Sequence, residues 1–214
     1  MIAAVACVLF GVSSFTGCSN DEWEGLPDYV PTLAPQLTRA GAEGNGIDID
    51  FIPVEENACA AWALATLLKE SGYILPGKNK PAKGYQCYNA VCSAANNNYK
   101  NMTNIQIRQV ASKLNMGLQN EHWILHINGP TLNEIQLNDS VNTFISQHGL
   151  ESGWLLLTND PPLNHTSIIT GSTTADTTVI INGVTRNYTK TKIKVRDYQG
   201  SHTYNPSEIY LFIY

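Results

Sequence analysis

The stretch NACAAWALATLLKESG, residues 57–72, places one cysteine, Cys59, at the head of a run that is almost wholly apolar. Apolar residues cover every face of a helix over 58–70, which predicts a buried helix there, and Ser71 and Gly72 end it. Cys59 is then either a small hydrophobic residue in the core or a nucleophile presented by the helix. Its position alone does not separate these two interpretations.

The composition excludes several classes of function. The chain has 214 residues, a formal charge of −5 and 14% charged residues, which predicts one domain with appendages. It has no run rich in Lys and Arg, which argues against binding to nucleic acid or to an anionic membrane surface. No Cys-x-x-Cys pair is present and no spacing of cysteines and histidines supports zinc, so neither a metal nor a cofactor is predicted.

The N-terminus, MIAAVACVLFGVSSFTGCSNDEWEG, has an apolar run too short to span a bilayer followed by small residues, which predicts a secretory signal over 1–17. FTGC resembles a lipobox, which would make Cys18 the lipidated N-terminus; an ordinary cleaved signal is the alternative. Asp21 and Glu22 resemble the surface-export signal of some Gram-negative lipoproteins. We therefore expect a protein anchored by lipid at the outer membrane or cell surface, with no other membrane contact.

The remaining chain divides into two parts. Residues 18–50 are rich in Pro and Gly and predict a tether and entry loop, and residues 51–214 form the predicted domain. Once Cys18 carries lipid, Cys59, Cys87 and Cys92 remain. Cys87 and Cys92 are close enough in sequence to form a disulfide in an oxidising compartment, which leaves Cys59 as the odd cysteine.

The order of the elements predicts an α+β domain. Thr103 is a candidate cap for a helix over 102–117, and Asp139 is a candidate cap for a helix over 139–148. Strands are predicted at 153–159, 165–171, 177–183, 187–197 and 208–214. Helices come first and strands last, and turns such as Asn182-Gly183 indicate an antiparallel sheet.

Three residue types that support nucleophilic catalysis occur in a suitable order. Cys59 is predicted at a helix N-terminus, where backbone N–H groups and the helix dipole favour its thiolate. His165 opens a strand about a hundred residues later, the order expected of a Cys-His pair that meets only in the fold. Asp197 ends a strand that should run beside the one beginning at His165, and would orient the imidazole. Asn182 is the rival orienting group, although Asn-Gly is first of all a hairpin turn.

With these residues the chain resembles the papain-like cysteine peptidases. The resemblance lies in NACAAWALATLL, with a tryptophan after the cysteine, in NHTSIITG and in IKVRDYQG. MTNIQIRQVASKLNMGLQ and DSVNTFISQHGLESGWLLLTN are similar to the two segments that precede the histidine in the branch related to double-glycine leader peptidases. The resemblance implies a papain-like fold with a helical and a sheet subdomain, Cys59 as nucleophile, His165 as general base and then acid, Asp197 as orienting group, and a peptide or protein substrate.

Two features depart from that family. The family usually has a glutamine before the cysteine as oxyanion donor, whereas DFIPVEENAC has none and Asn57 is the nearby amide. The spacing from His165 to Asp197 is long, which implies an inserted hairpin at about 177–191. An amidase or acyltransferase acting on cell-wall peptides, a non-catalytic surface-binding module and a structural lipoprotein with a buried cysteine therefore remain open. The other histidines are expected to be surface or packing residues: His122, His126, His148 and His202.

Overall fold

A computed structural model describes residues 50–125, 132–158, 165–181 and 183–214. The predicted signal peptide, Cys18 and most of the tether lie outside the described residues, as do His126 and Asn182. In the described part, no helix is long and apolar enough to cross a bilayer. The helices are α1 (Cys59–Glu70), α2 (Gly84–Ala94), α3 (Asn104–Lys113) and α4 (Glu134–His148). The strands are β1 (Glu121–Trp123), β2 (Leu155–Thr158), β3 (Thr166–Ile181), β4 (Val184–Asp197), β5 (Gly200–Tyr204) and β6 (Ile209–Ile213), and a short 3-10 turn, Pro206–Glu208, precedes β6.

The buried helix predicted at Cys59 is confirmed. Eight of its twelve residues are buried, and four of these are alanines, which let neighbouring elements approach closely. It ends where predicted, because Gly72 has a φ of +70° and the N–H of Tyr73 donates to the carbonyl of Leu68. The helix therefore forms one side of the core, with Cys59 at its N-terminal end.

The six strands form one antiparallel sheet in the order β1-β6-β2-β3-β4-β5. Both faces of its central strands are buried, which explains their nearly continuous apolar sequences. Leu155 and Ile168 belong to the core cluster that includes α1, whereas Leu156 and Ile169 pack in the cluster around Phe144 of α4. The domain is thus α+β, with helices on both faces of the sheet.

Two predicted helix boundaries are wrong. The helix predicted over 139–148 begins at Glu134, because the side chain of Asn133 accepts a hydrogen bond from the backbone N–H of Gln136 and caps it. The helix predicted over 102–117 has the predicted Thr103 cap but ends at Lys113. Its chain then turns through Asn115, which has a φ of +54°.

Three elements are absent from the sequence prediction: α2, β1 and β5. The segments predicted as separate strands at 165–171 and 177–183 are one strand, β3, which pairs with β4 from Ile168 to Ile181, with a register shift between Ile169 and Gly171. The extra hairpin between His165 and Asp197 is therefore the outer part of these two long strands. Most of the side chains in its outer half are exposed.

Candidate active site

Cys59 is the first residue of α1 and is 5% exposed. The preceding turn is held from two sides, since the N–H of Ala58 donates to the carbonyl of Glu55 at 3.2 Å and the N–H of Asn101 donates to the carbonyl of Asn57 at 2.7 Å. Asn57 has a φ of +61°, a conformation that asparagine tolerates better than other residues with a side chain. The position of Cys59 is therefore fixed by the loop before it as well as by the helix.

The side chain of Glu55 anchors that loop. It is 5% exposed, accepts a hydrogen bond from the hydroxyl of Tyr99 at 2.9 Å, and lies 3.5 Å from the ammonium group of Lys100. These three residues join the segment before Cys59 to the segment that contains Asn101. Because a buried carboxylate is costly to leave without donors, this contact favours a single arrangement of the loop.

His165 lies immediately before β3 and is 5% exposed. Its backbone is tied to β2, because its carbonyl accepts from the N–H of Thr158 at 3.0 Å and its own N–H donates to the hydroxyl of Thr158 at 3.3 Å. The imidazole is thus carried by backbone at the junction of two core strands. Such a position limits the directions in which the ring can point.

Asp197, the last residue of β4, binds the imidazole directly. Ile168 of β3 pairs with Arg196 of β4, which brings the start of β3 beside the end of β4, as the sequence predicted. Oδ2 of Asp197 lies 2.6 Å from Nε2 of His165, and the aspartate side chain is 1% exposed. Oδ1 accepts the backbone N–H groups of Gln199 at 2.7 Å and Gly200 at 3.1 Å. The carboxylate therefore closes the turn into β5 and holds the histidine at the same time.

The environment keeps Asp197 ionised. Burial alone raises the pKa of Asp197, but the hydrogen bond and charge of His165, with the N–H of Gln199, outweigh burial and bring this pKa below its ordinary value of 3.8. An ionised carboxylate only accepts hydrogen bonds, so Nε2 of His165 carries the hydrogen that is donated to Oδ2. This assigns Nδ1 as the basic nitrogen of the neutral ring.

Cys59, His165 and Asn57 line one cavity of about 290 Å³. Two residues distant in sequence, one on a helix and one on the sheet, are thereby brought to the same solvent-reachable space. The rest of the lining is largely apolar and includes Met102, Ile105, Trp123, Leu157 and Tyr210. The cavity therefore places Cys59, His165 and Asn57 beside one space that suits a molecule with apolar groups.

An aromatic side chain covers the histidine. The ring of Tyr198 contacts the ring of His165 edge to face at 5.4 Å, and contacts Trp62 edge to face at 6.2 Å. The pKa of Tyr198 is raised to about 12, mainly by burial and also by the negative charge of Asp197, so the hydroxyl stays neutral. Tyr198 and Trp62 thus connect α1 to the turn that carries Asp197.

Asn182, the rival orienting residue, lies outside the described residues. Its described neighbours, Ile181 and Gly183, lie at the far end of the β3–β4 hairpin. At about 3.3 Å per residue, Ile181 is roughly 50 Å along β3 from Thr166. Asp197, the other candidate, contacts His165 directly.

The cysteines have different states. Cys59 is disulfide-bonded in this structure. Cys87 and Cys92 are free and buried in α2, so the suggested Cys87–Cys92 disulfide is not formed. Burial raises the pKa of Cys87 to about 11 and that of Cys92 to about 12. Any nucleophilic role of Cys59 therefore requires its reduced form.

One site residue was missed by the sequence prediction. His202, expected to be a surface or packing residue, has its Nε2 3.2 Å from Oδ1 of Asp197. The signal for it is the turn Asp-Tyr-Gln-Gly, after which β5 runs back along β4. In contrast, His122 and His148 do pack, both against the ring of Phe144.

Among the described residues there is no group of three or more His, Cys, Asp or Glu side chains that could hold a metal ion. Comparison of the chain with models of known protein families, with curated proteins and with solved structures finds no match. The fold and the site define the chain as an α+β protein with a buried Asp-His pair that faces a cysteine across a cavity. The functional argument therefore rests on the site alone.

Proposed function

We propose that the chain is a cysteine peptidase of the papain-like type, exported and anchored by lipid at Cys18, that hydrolyses peptide amide bonds with Cys59, His165 and Asp197. The observation that carries the proposal is the cavity lined by both Cys59 and His165, whose imidazole is held through Nε2 by the buried Asp197. The helix N-terminus at Cys59 supports it further, because backbone N–H groups there favour a thiolate.

The proposed reaction follows the assigned tautomer. Nδ1 of His165 takes the proton of the Cys59 thiol, and the thiolate attacks the carbonyl carbon of the substrate amide. The C–N bond breaks as the imidazolium gives its proton to the leaving amine, which leaves a thioester on Cys59. A water molecule then loses a proton to His165 and attacks the thioester, which releases the carboxylic acid and the thiol. Asp197 stabilises the imidazolium in both halves without taking the proton.

The cavity also suggests which substrates to use. Its apolar lining favours a peptide with a large apolar side chain next to the scissile bond. A pool of fluorogenic peptides with aromatic and aliphatic residues at that position is therefore the first choice of substrate. Hydrolysis of cell-wall peptides would indicate the amidase variant of the same chemistry.

Alkylation tests the proposal without knowledge of the substrate. The full chain is reduced, treated with iodoacetamide at pH 7.5 while folded, and mapped by mass spectrometry. We expect label at Cys59, whereas Cys87 and Cys92 should stay unlabelled until denaturant is added, because buried thiols with such raised pKa values contain less than about one thiolate in a thousand at this pH. Cys59 that stays inert after reduction, or that reacts like an ordinary thiol with no peptide turnover, would instead favour the non-catalytic binding module.

Asn57 is the proposed oxyanion donor, and replacing it should lower kcat. Glycine is the informative substitution, because it removes the amide yet accepts a φ of +61° without strain. Loss of one oxyanion donor typically lowers kcat about a hundredfold, so we expect a fall of that size in Asn57→Gly, with little change in KM or stability. Steady-state kinetics and thermal unfolding measure these effects.

Asn57→Asp is the matched control for the shape of the Asn57 side chain. It keeps the backbone tolerance of asparagine but places an acceptor where the donor stood, so kcat should fall at least as far as in Asn57→Gly. Unchanged kcat in both variants would contradict the assignment and leave backbone N–H groups of α1 as the oxyanion donors.

A further inference from the structure

The Asp197 carboxylate is shared by two histidines. His165 meets Oδ2 at 2.6 Å, and His202 meets Oδ1 at 3.2 Å. The two rings differ in their access to solvent: 5% of the His165 side chain is exposed, whereas 37% of the His202 side chain is exposed. The proposed mechanism uses the first contact and leaves the second without a role.

The β4–β5 hairpin creates this arrangement. Asp197 pairs with Gly200 and Val195 pairs with His202, so the chain returns to place His202 beside the aspartate. Because side chains alternate along a strand, His202 and Asp197 lie on the same face of the hairpin. The contact is therefore fixed by strand register rather than by a loop.

The charges around His202 are few. β5 packs against β4, whose cationic residues Lys194 and Arg196 alternate with Val195 and so project from the opposite face. Tyr204 is the titratable side chain on the same side of β5. Among the described residues, the ion pair that involves His202 is the one with Asp197.

We propose that His202 is a positioning residue of the reaction. While neutral, His202 holds the second oxygen of Asp197; when protonated, it weakens the electrostatic stabilisation that the Asp197 carboxylate gives to a protonated His165. This proposal rests on the proposed peptidase function. The reaction needs His165 to become an imidazolium, and a second positive ring on the same carboxylate opposes that step. Activity should therefore fall as the pH drops through the range in which histidines titrate, about pH 5 to 8.

Comparison of His202→Gln with the unchanged protein tests this inference. Glutamine can still donate a hydrogen bond to Oδ1 but does not titrate. We measure kcat/KM of the reduced full chain on the fluorogenic peptides from pH 5 to 8.5. At pH 5.5 the variant should keep about tenfold more of its own pH 7.5 activity than the unchanged protein does, since solvent weakens the coupling of a partly exposed ring. Profiles that superimpose after scaling would overturn the proposal, because a merely structural role lowers activity equally at every pH.

His148→Gln is the matched control, since this exposed histidine packs on Phe144 and Tyr214 and should leave the profile unchanged. Proton NMR of the hydrogen on Nε2 of His165 gives a readout independent of turnover. In the unchanged protein this resonance should change with pH as His202 gains a proton, because both rings contact the same carboxylate. In His202→Gln that change should be absent. A resonance that responds to pH identically in both proteins overturns the inference, whereas a difference in a protein with no peptide turnover would leave the inference standing and remove the peptidase.

Discussion

In Cys59→Ala, peptide hydrolysis is expected to disappear, with a fall in kcat/KM of about 10⁴-fold or more. The reason is that Cys59 forms the covalent bond on which both halves of the proposed reaction depend. The measurement is hydrolysis of the fluorogenic peptides by the reduced full chain. The fold should persist, because alanine suits the N-terminal turn of a helix whose neighbours include Ala58, Ala60 and Ala61.

Cys92→Ala is the control for Cys59→Ala. It makes the same chemical change at a buried thiol on α2, and it should leave turnover intact. Thermal unfolding of both reduced variants shows whether either change damages the fold. Full hydrolysis by a folded Cys59→Ala protein would contradict the proposed mechanism, since the remaining hydroxyl groups in the cavity would then have to supply the nucleophile.

The sequence predicts the elements whose signal is carried by apolar residues alone. The α1 helix is almost wholly apolar, and β2 and β6 are short apolar runs buried on both faces, so each could be located without tertiary information. The order of Cys59, His165 and Asp197 was also informative. Antiparallel pairing of neighbouring strands is the commonest arrangement, and it brings the end of β4 beside the start of β3.

The elements missed by the sequence prediction depend on tertiary contacts. The α2 sequence, GYQCYNAVCSA, has two tyrosines, two cysteines and an asparagine, all of modest helix propensity. It is helical because Tyr88, Val91 and Cys87 are buried in the core cluster that contains α1. The contact of His202 with Asp197 is likewise visible only after the tight turn between β4 and β5 is known.

The second large effect is expected at Asp197, where asparagine should lower kcat/KM about a thousandfold. The carboxylate accepts on both oxygens, from His165 on one side and from the N–H groups of Gln199 and Gly200 on the other. An asparagine has one accepting oxygen and one donating NH₂, so it cannot serve both sides. With two backbone donors against one imidazole, its oxygen should face the turn and its NH₂ should face His165.

That orientation inverts the tautomer of the histidine. An NH₂ group opposite Nε2 requires a lone pair there, which moves the imidazole hydrogen to Nδ1 and removes the base that accepts the thiol proton. If the amide instead turned its oxygen to His165, two backbone N–H groups would lose their acceptor, at about 1–3 kcal/mol each. Either outcome lowers activity or stability, so neither amide orientation replaces the carboxylate of Asp197.

Stability should depend on pH in a way that separates Asp197→Asn from the unchanged protein. The pKa of Asp197 is lowered in the folded state, so its contribution is complete above the unfolded value of 3.8 and is lost as the pH falls through the folded value. Urea unfolding at pH 7 should therefore show the unchanged protein to be more stable by about 2 kcal/mol or more. The difference should shrink as the pH falls below 3.8.

Asp176→Asn is the matched control. Asp176 is exposed, lies far along the hairpin and accepts a hydrogen bond from the hydroxyl of Thr189. Its replacement should leave both kcat/KM and stability nearly unaltered. Full activity in Asp197→Asn would mean that the amide oxygen faces His165. The stability loss must then be larger, since the turn donors are left unsatisfied in a place where the side chain is 1% exposed. Retention of both activity and stability is the one result that the four hydrogen bonds to this carboxylate do not permit.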